Sequence, residues 1–423
     1  MRAGTRGNAG DRRVGARHHL AAGTSFGRPT IEPSLAWLLD PLTVESFREG
    51  IWAVTHHHIK RNSADYFDRL LHPTSAVEQL LELFRREPSA VRLIRQDDKK
   101  SGSENYRLND GGLDIGGVRR DFDDGFTIVV DGVERHVRAI ASLAQSIEVE
   151  LNFPVQVNAY ITPPGAQGLV PHYDDHDVVI LQIEGSKIWH LYEDVHIPPH
   201  QIRNRDKAVP TETLPLPTDV RTEAGDVFYL PRGLVHAAEA AANRSVHLTV
   251  GLHAPTALTF AIGALHSLSF RDDRLNAQLP PRHLDDPDLQ DTLGVLLRDA
   301  MTAVEDPGAI AGGLDALSDV LVRRGRCPPV GQVAHAAAID GQTRVRKYRP
   351  LYSRVKVAAD SVALQFASLS ISAGRDHEAA MLFMSERTGP FRVCELPGLR
   401  ADQRTALVRS LLTSGFLVRL PED

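Results

Sequence analysis

Cysteine is nearly absent from this 423-residue chain: Cys327 and Cys394 are the only two, far apart and in no ligand motif. That excludes a disulfide framework and a cysteine-based zinc site, and it fits a reducing compartment, so a cytoplasmic location is expected. Long hydrophobic runs are missing as well. None approaches the roughly 20 residues that cross a bilayer, and no membrane partner is expected. The first 30 residues are rich in Arg, Gly and Ala but lack the apolar stretch of a secretory signal, and they read as a disordered basic lead. An overall excess of positive charge is also lacking. The formal net charge is −6, which gives no global reason to expect nucleic acid as a partner. No Walker-type glycine loop, Rossmann fingerprint or Gly-x-Ser-x-Gly elbow occurs.

What is present is the composition of a globular protein, 42% apolar and 24% charged, long enough for two or three domains. From Ile31 to about Pro88 the pattern is helical: Thr43 caps a segment running to Trp52, and Ser75 with Glu78 has capping-box spacing. Between Gln96 and Asp124 the chain is polar and rich in Gly and Asp, which predicts a long surface loop. Phe126 to Val130 is a short β-type run. Val137, Ile140, Ala144, Ile147 and Leu151 then recur at alternating spacings of three and four, one face of a helix. The period changes in the middle of the chain. Val155–Ile161, Val178–Ile183, Ile188–Tyr192, Val227–Leu230 and Val246–Val250 are short β-rich runs bounded by Pro, Gly or Asp, which indicates an antiparallel sandwich or barrel. Beyond His253 the chain reads as helices to about Arg324, with a break at Pro280 to Pro287. The last stretch offers a β-type run (Val362 to Ile371), helices near Ala379–Met384 and Ala401–Thr413, and a closing strand from Gly415; a small winged-helix-like domain is the simplest fit.

The chemistry concentrates in Gln167 to Trp189. His172 and Asp174 are two apart at the start of a strand, so both side chains leave one face. His236 follows 62 residues after Asp174, behind the turn Pro231-Arg232-Gly233. Two imidazoles and one carboxylate are the facial triad of non-haem Fe(II) oxygenases, which leaves positions open for a chelating co-substrate and O₂. Among 19 histidines a bare His-x-Asp with a distant His also arises by chance, and a lone histidine is more often a satisfied core or surface residue. Lys187 changes that weighing. It stands in an apolar strand-like stretch beside Ile188 and Trp189, where a lysine without an anion would be costly. The competing reading makes Lys187 an edge-strand gatekeeper and Tyr160 an amphipathic core residue. On the strand Val155–Ile161, Asn158 and Tyr160 share one face, Tyr160 aimed at a carboxylate and Asn158 at the metal end. His176 continues the alternation, but four strand residues span about 13 Å, too far to reach the same metal. His56-His57-His58 resembles a metal tract, yet adjacent strand residues point to opposite faces. Asp175 and Asp177 are expected at solvent or in loops.

Three segments together carry a family resemblance: Asn158 to Asp175, Leu181 to Trp189, and Gly225-Asp-Val-Phe-Tyr-Leu-Pro-Arg-Gly-Leu-Val-His236. Over about residues 150 to 255 the chain resembles the JmjC ribosomal oxygenases, which hydroxylate histidine or arginine side chains of ribosomal proteins. The resemblance implies an α+β chain built on a double-stranded β-helix (jelly-roll, cupin-type) barrel at 31–253. A helical dimerisation segment at 254–334 and a winged-helix-like domain at 335–423 would follow. It places Fe(II) on His172, Asp174 and His236, and 2-oxoglutarate on Lys187, Tyr160 and Asn158, with O₂ as the second co-substrate. The chain departs from the pattern at Gly251, where a small hydroxyl residue is expected (Thr249, two before it, is the candidate), and at His190, where an arginine is usual. No basic recognition helix is visible, and direct nucleic-acid binding is not expected. The implied partners are a protein or peptide substrate, a ribosomal protein first, and a second copy of the chain. The rivals are tailoring of a ribosomally made peptide natural product, a catalytically inactive cupin-type binding protein and, lacking an aromatic cage, lysine demethylation.

Overall fold

The computed structural model describes residues 33–73, 76–96, 98–199, 207–325, 327 and 339–421. The basic lead, Ser75 of the expected capping box and Asp97 lie outside the described residues. The N-terminal elements are α1 (Leu35–Leu39), α2 (Val44–Gly50), β1 (His57–Ile59), α3 (Ala76–Leu83), β2 (Val91–Arg95), β3 (Asp98–Ser101), α4 (Gly102–Asn105), α5 (Ile115–Asp123), β4 (Thr127–Val130) and α6 (Arg138–Leu151). Thr43 caps α2 as its sequence position predicts, its hydroxyl accepting from Ser46 N at 3.1 Å. In α6 the apolar stripe Ile140, Leu143, Ala144 and Ile147 is fully buried, and the helix ends at Asn152 in the left-handed region.

The stretch from Gln96 to Asp124 is not a loop. It holds β3, α4 and α5, and its charges largely satisfy one another: Lys100 pairs with Asp121 at 2.7 Å, and Arg95 lies 3.7 Å from Asp98. Asp114 caps α5 by accepting from Gly117 N. The polar composition concealed short elements that are held by ion pairs and caps and anchored in the core by Tyr106, Leu113 and Val118.

The barrel strands are β5 (Val155–Thr162), β6 (Asp177–Glu184), β7 (Ser186–His196), β8 (Thr218–Glu223), β9 (Val227–Leu230), β10 (Leu234–Ala240) and β11 (Ser245–Leu252). They form two facing sheets: a large one in the order β1-β9-β6-β11-β5-β4-β2-β3 and a small one in the order β10-β7-β8, with every pairing antiparallel. This is the expected double-stranded β-helix. Alternation on β5 sets its polarity. Val155, Val157, Ala159 and Ile161 are fully buried on the face that packs against α6, which leaves Gln156, Asn158 and Tyr160 on the inner face of the barrel. The β6–β7 hairpin turns at Gly185, whose φ is +67° and where any Cβ would collide with the Arg244 carbonyl. Asp177 corrects the expectation of a solvent position. It is buried at the start of β6, its carboxylate accepts the Tyr229 hydroxyl proton at 2.7 Å, and burial pushes its pKa up.

Three helices follow the barrel: α7 (Ala257–Ser269), α8 (Leu289–Ala303) and α9 (Pro307–Val322). The C-terminal part holds β12 (Arg344–Lys347), β13 (Ser353–Val357), β14 (Ser361–Phe366), β15 (Leu369–Gly374), α10 (Glu378–Glu386), β16 (Phe391–Arg392), α11 (Ala401–Thr413) and β17 (Leu417–Arg419). Its core contains Val345, Leu364, Phe366, Met381, Leu411 and Phe416. The single β-type run read from Val362 to Ile371 is in fact a hairpin. Ala367 and Ser368 take φ of 44° and 63°, a two-residue turn built without the Asn-Gly pair that marks such turns in a sequence. No helix among the described residues is long and apolar enough to cross a membrane.

Candidate active site

A cavity of about 320 Å³ lies between the two barrel sheets. The large sheet lines it with Arg92, Thr127, Tyr160, Ile180, His247 and Thr249; the small sheet lines it with Lys187, Trp189, His236 and Ala238. His172 and Asp174 precede β6. They are fixed by a backbone exchange with β10 in which His172 N donates to His236 O at 3.0 Å and His236 N to His172 O at 2.8 Å. His236 therefore sits inside a strand that the sequence reading did not identify.

One nitrogen, or one carboxylate oxygen, from each of His172, Asp174 and His236 lies within 4.8 Å of the others. Both rings are oriented by the main chain: His172 Nδ1 donates to Val170 O at 2.9 Å, and His236 Nδ1 to Leu234 O at 3.0 Å. That fixes the tautomer and leaves each Nε2 lone pair for a ligand. Burial, and then the neighbouring His236, bring His172 down to about 4, so it is neutral and ready to coordinate. Burial raises the Asp174 carboxyl, but His172 and His236 outweigh it and hold the group below the usual carboxylate range. This is the arrangement expected from the sequence pattern.

Lys187 is 4% exposed. Its Nζ donates to Thr162 Oγ1 at 3.2 Å and lies 5.6 Å from the centre of the Trp189 ring. Among the described residues no carboxylate pairs with it, and burial lowers its pKa to about 7. Tyr160 stacks on His247 with 4.9 Å between ring centres. Thr249, opposite Asn158 in the sheet, lines the cavity. Asn158 corrects its expected role. It shares the Tyr160 face, but its carbonyl accepts from Gly132 N and Gln156 Nε2, both at 3.0 Å, and it is not among the cavity-lining residues.

The remaining candidates disperse. His176 donates to Asp175 and stacks on His253, 4.3 Å away, with Gly251 beside them. Asp175 also pairs with Lys207 at 2.8 Å. His56 and His58 turn to different acids, Glu193 and Asp226. His190 points out of the barrel to Asp219 at 2.7 Å, so its departure from the family pattern does not touch the cavity. Among the described residues of the polar stretch before β4, only Lys99 lines the cavity. Sequence reasoning missed Arg92 and His247. Arg92 is clamped by both oxygens of Asp131 at 3.0 and 3.2 Å beside Tyr160; His247 is 2% exposed with an unpartnered Nδ1. Alternation along β2 and β11 was the available signal, but β2 was not recognised as a strand.

Residues 134–260 match the JmjC domain family. The chain is 31% identical over 228 residues to the bifunctional lysine-specific demethylase and histidyl-hydroxylase NO66 of Drosophila mojavensis, across 52% of this chain and 24% of that protein. It is 29% identical to ribosomal oxygenase 2 of Mus musculus, across 58% of this chain and 54% of that one. The chain thus spans between about a quarter and about half the length of these two relatives. The fold is shared with the ribosomal oxygenase YcfD of Escherichia coli in complex with cobalt and 2-oxoglutarate: TM-score 0.56, 19% identity, 90% of this chain and 99% of that one. The chain accordingly carries a JmjC domain over residues 134–260, set in a fold it shares with a ribosomal oxygenase.

Proposed function

We propose that the protein is an Fe(II)- and 2-oxoglutarate-dependent hydroxylase of a protein side chain. The carrying observation is the pairing, inside one cavity, of the His172–Asp174–His236 donor cluster with a buried lysine that has no carboxylate partner among the described residues. The donor set suits iron: two imidazoles and one carboxylate, with no thiolate among the lining residues. Bound there, iron with 2-oxoglutarate and O₂ supplies the oxidation of an unactivated C–H bond, with succinate and CO₂ as by-products. The chain's own residues do the rest. His172, Asp174 and His236 hold the metal on oriented lone pairs; Lys187 offers its ammonium to the distal carboxylate of the co-substrate, with Tyr160 and Thr249 beside it. The apolar walls Ile180, Trp189 and Ala238 exclude water.

The names of the relatives favour a histidine or arginine side chain of a ribosomal protein as substrate. The cavity wall favours histidine of the two. Among the described residues it presents Arg92, Lys99, Lys187 and Lys207 but one carboxylate, Asp174, which the metal would take, so a guanidinium would find no acid among them to pair with. The test is incubation of iron-loaded protein with 2-oxoglutarate and ribosomes from a deletion strain, then mapping of peptides heavier by one oxygen. Oxidised histidine is expected. Oxidised arginine overturns the choice between the two, and succinate release driven only by a free small molecule or a precursor peptide overturns the ribosomal reading.

In this role the protein acts in the cytoplasm as a homodimer, with a winged-helix-like C-terminal domain. Leu258 and Ile262 on α7, Val295, Leu297 and Met301 on α8, and Leu314 on α9 are between 50% and 60% exposed, and α8 packs extensively against no other described element. A 15-residue helix so poorly covered needs a partner surface, and a second copy supplies it. Light scattering at micromolar concentration is expected to return twice the 46.5 kDa chain mass; the chain mass itself refutes this.

A further inference from the structure

The inner face of the barrel continues past the donor cluster. Lys187 donates to Thr162, which stands opposite Ser245 at the start of β11, so the co-substrate end of the cavity is the end where β11 begins. Alternation then places His247, Thr249 and Gly251 on the cavity face of β11, progressively further from that end. At Gly251 this face carries no side chain. A Cβ there would lie 2.8 Å from His176 Nε2 and 3.3 Å from His253 Nε2, so the glycine is what lets these two rings lie across the strand. The rings stack with centres 4.3 Å apart, and both line another cavity, of about 440 Å³, between the barrel end and helices α7 and α9. Lys207 lines both cavities. Among the described lining residues of this cavity the charged side chains are Asp175 and Lys207, and they pair with each other at 2.8 Å. His176 Nδ1 bonds the same carboxylate at 3.0 Å. Burial, and then the neighbouring His176, bring His253 down to about 4, so it is neutral. The rest of the wall is mostly apolar, with Pro154, Pro255, Leu317 and Val320, and Val320 is 48% exposed.

We propose that this cavity takes a large apolar side chain of the substrate polypeptide, aromatic before aliphatic, close in sequence to the residue that is oxidised. The inference rests on the proposed hydroxylation of a protein side chain and adds the neighbouring residue that the enzyme selects. A lysine or arginine is the poorer occupant. It would find Asp175 already shared by Lys207 and His176, and its desolvation would go uncompensated. An apolar side chain covers Leu317 and Val320, and an aromatic one also finds imidazole rings to pack on. A second copy of the chain is the poorer fit as well, because the cavity meets the active-site cavity at Lys207, a place that a substrate has to reach and a subunit contact does not. From Thr249 to His253 the chain advances about 13 Å. Extended polypeptide covers that distance in about four residues, which places the selected residue within about four positions of the oxidised one.

The experiment uses the full iron-loaded chain and a peptide that spans about four residues on each side of the residue found oxidised on ribosomes. Aspartate scanned along the peptide is expected to raise KM by about tenfold or more at one apolar position, with kcat little changed. Leu317→Glu, which sets a carboxylate in the apolar wall, is expected to raise KM for the unaltered peptide by about tenfold. Its iron content and its 2-oxoglutarate affinity, read by calorimetric titration, are expected to match the wild type. Val320→Glu repeats the test at a half-exposed helix position, where a charge leaves folding intact. Leu317→Lys is expected to take the aspartate peptide better than the wild type does, a coupling that direct contact gives and distant effects do not. Unchanged KM in both glutamate variants, indifference of the peptide to aspartate at every position, or losses that simply add in Leu317→Lys each overturn the proposal. So does a fall to the chain mass in light scattering of Val320→Glu with the peptide KM unchanged, which gives this surface to a second copy. A wild-type chain that binds iron and 2-oxoglutarate but oxidises no polypeptide is a different result: it overturns the protein-hydroxylase reading, and this proposal with it.

Discussion

Asp174→Ala is expected to abolish both metal binding and turnover, the largest effect of any single substitution in this protein. Among the described residues Asp174 is the one carboxylate lining the cavity, and the two histidines beside it offer ring nitrogens only. Without it the site loses a donor and the negative charge that offsets a divalent cation. Even the groups that orient metal ligands are typically worth ten- to a hundredfold in affinity, so loss of the ligand itself is expected to exceed about a hundredfold. Iron content measured on the purified variant, with 2-oxoglutarate decarboxylation alongside, checks both. About one iron per chain is expected in the wild type. Iron retained with full activity, or zinc preferred with no dependence on iron, sinks the assignment.

Lys187→Ala is expected to leave metal binding nearly intact and to raise the 2-oxoglutarate requirement by roughly ten- to a hundredfold. A charge-assisted contact to a buried carboxylate is worth about 1.5–3 kcal/mol, and each 1.4 kcal/mol is a factor of ten. The pH dependence has a definite sign. Burial lowers the Lys187 pKa to about 7, so the charged form that attracts the carboxylate is present below pH 7 and lost above it in the ligand-free protein. Affinity for 2-oxoglutarate is then expected to weaken by up to about tenfold per pH unit above 7, and the alanine variant to lose this dependence. The same shift acts on stability in the opposite sense. The unfolded chain binds the proton up to its ordinary pKa of about 10.4 and the folded chain does not, so between pH 7 and about 10 this lysine contributes stability that rises with pH. Calorimetric titration of 2-oxoglutarate into protein loaded with a redox-inert divalent metal checks the affinity without turnover. An unchanged affinity in the variant assigns the anchor to another cation, for which Arg92 is the neighbouring candidate.

The barrel was legible because its strands are short, β-rich and punctuated. The runs at Val155, Val178, Val227 and Val246 all fall within strands, and the helix at Ala401–Thr413 has the bounds expected. Strands without that signature were not legible. β8 (Thr218–Glu223) is mostly polar, and β10 is Leu-Val-His-Ala-Ala-Glu-Ala, a composition that also suits a helix. Both are strands because β7 pairs with them on its two sides, a long-range fact that no local window contains. The cavity followed the same rule. His172, Asp174, His236 and Lys187 were identifiable from residue type and spacing, but Arg92 enters from β2, some 70 residues before Tyr160, through the pairing of β2 with β4 and of β4 with β5.

The sequence by itself supplied the residue types: two histidines, one aspartate and a lysine carry their ligand preferences wherever they are placed. It also determined the face of each recognised strand, since alternation leaves no other choice once one face is apolar. Tertiary structure alone decided which residues on those faces meet. It brought His172 against His236 by a two-way backbone exchange and turned Asn158 from the cavity towards Gly132. The physical reason is register: hydrogen bonds between segments distant in sequence fix neighbours to within a residue, and periodicity within a segment carries no information about them.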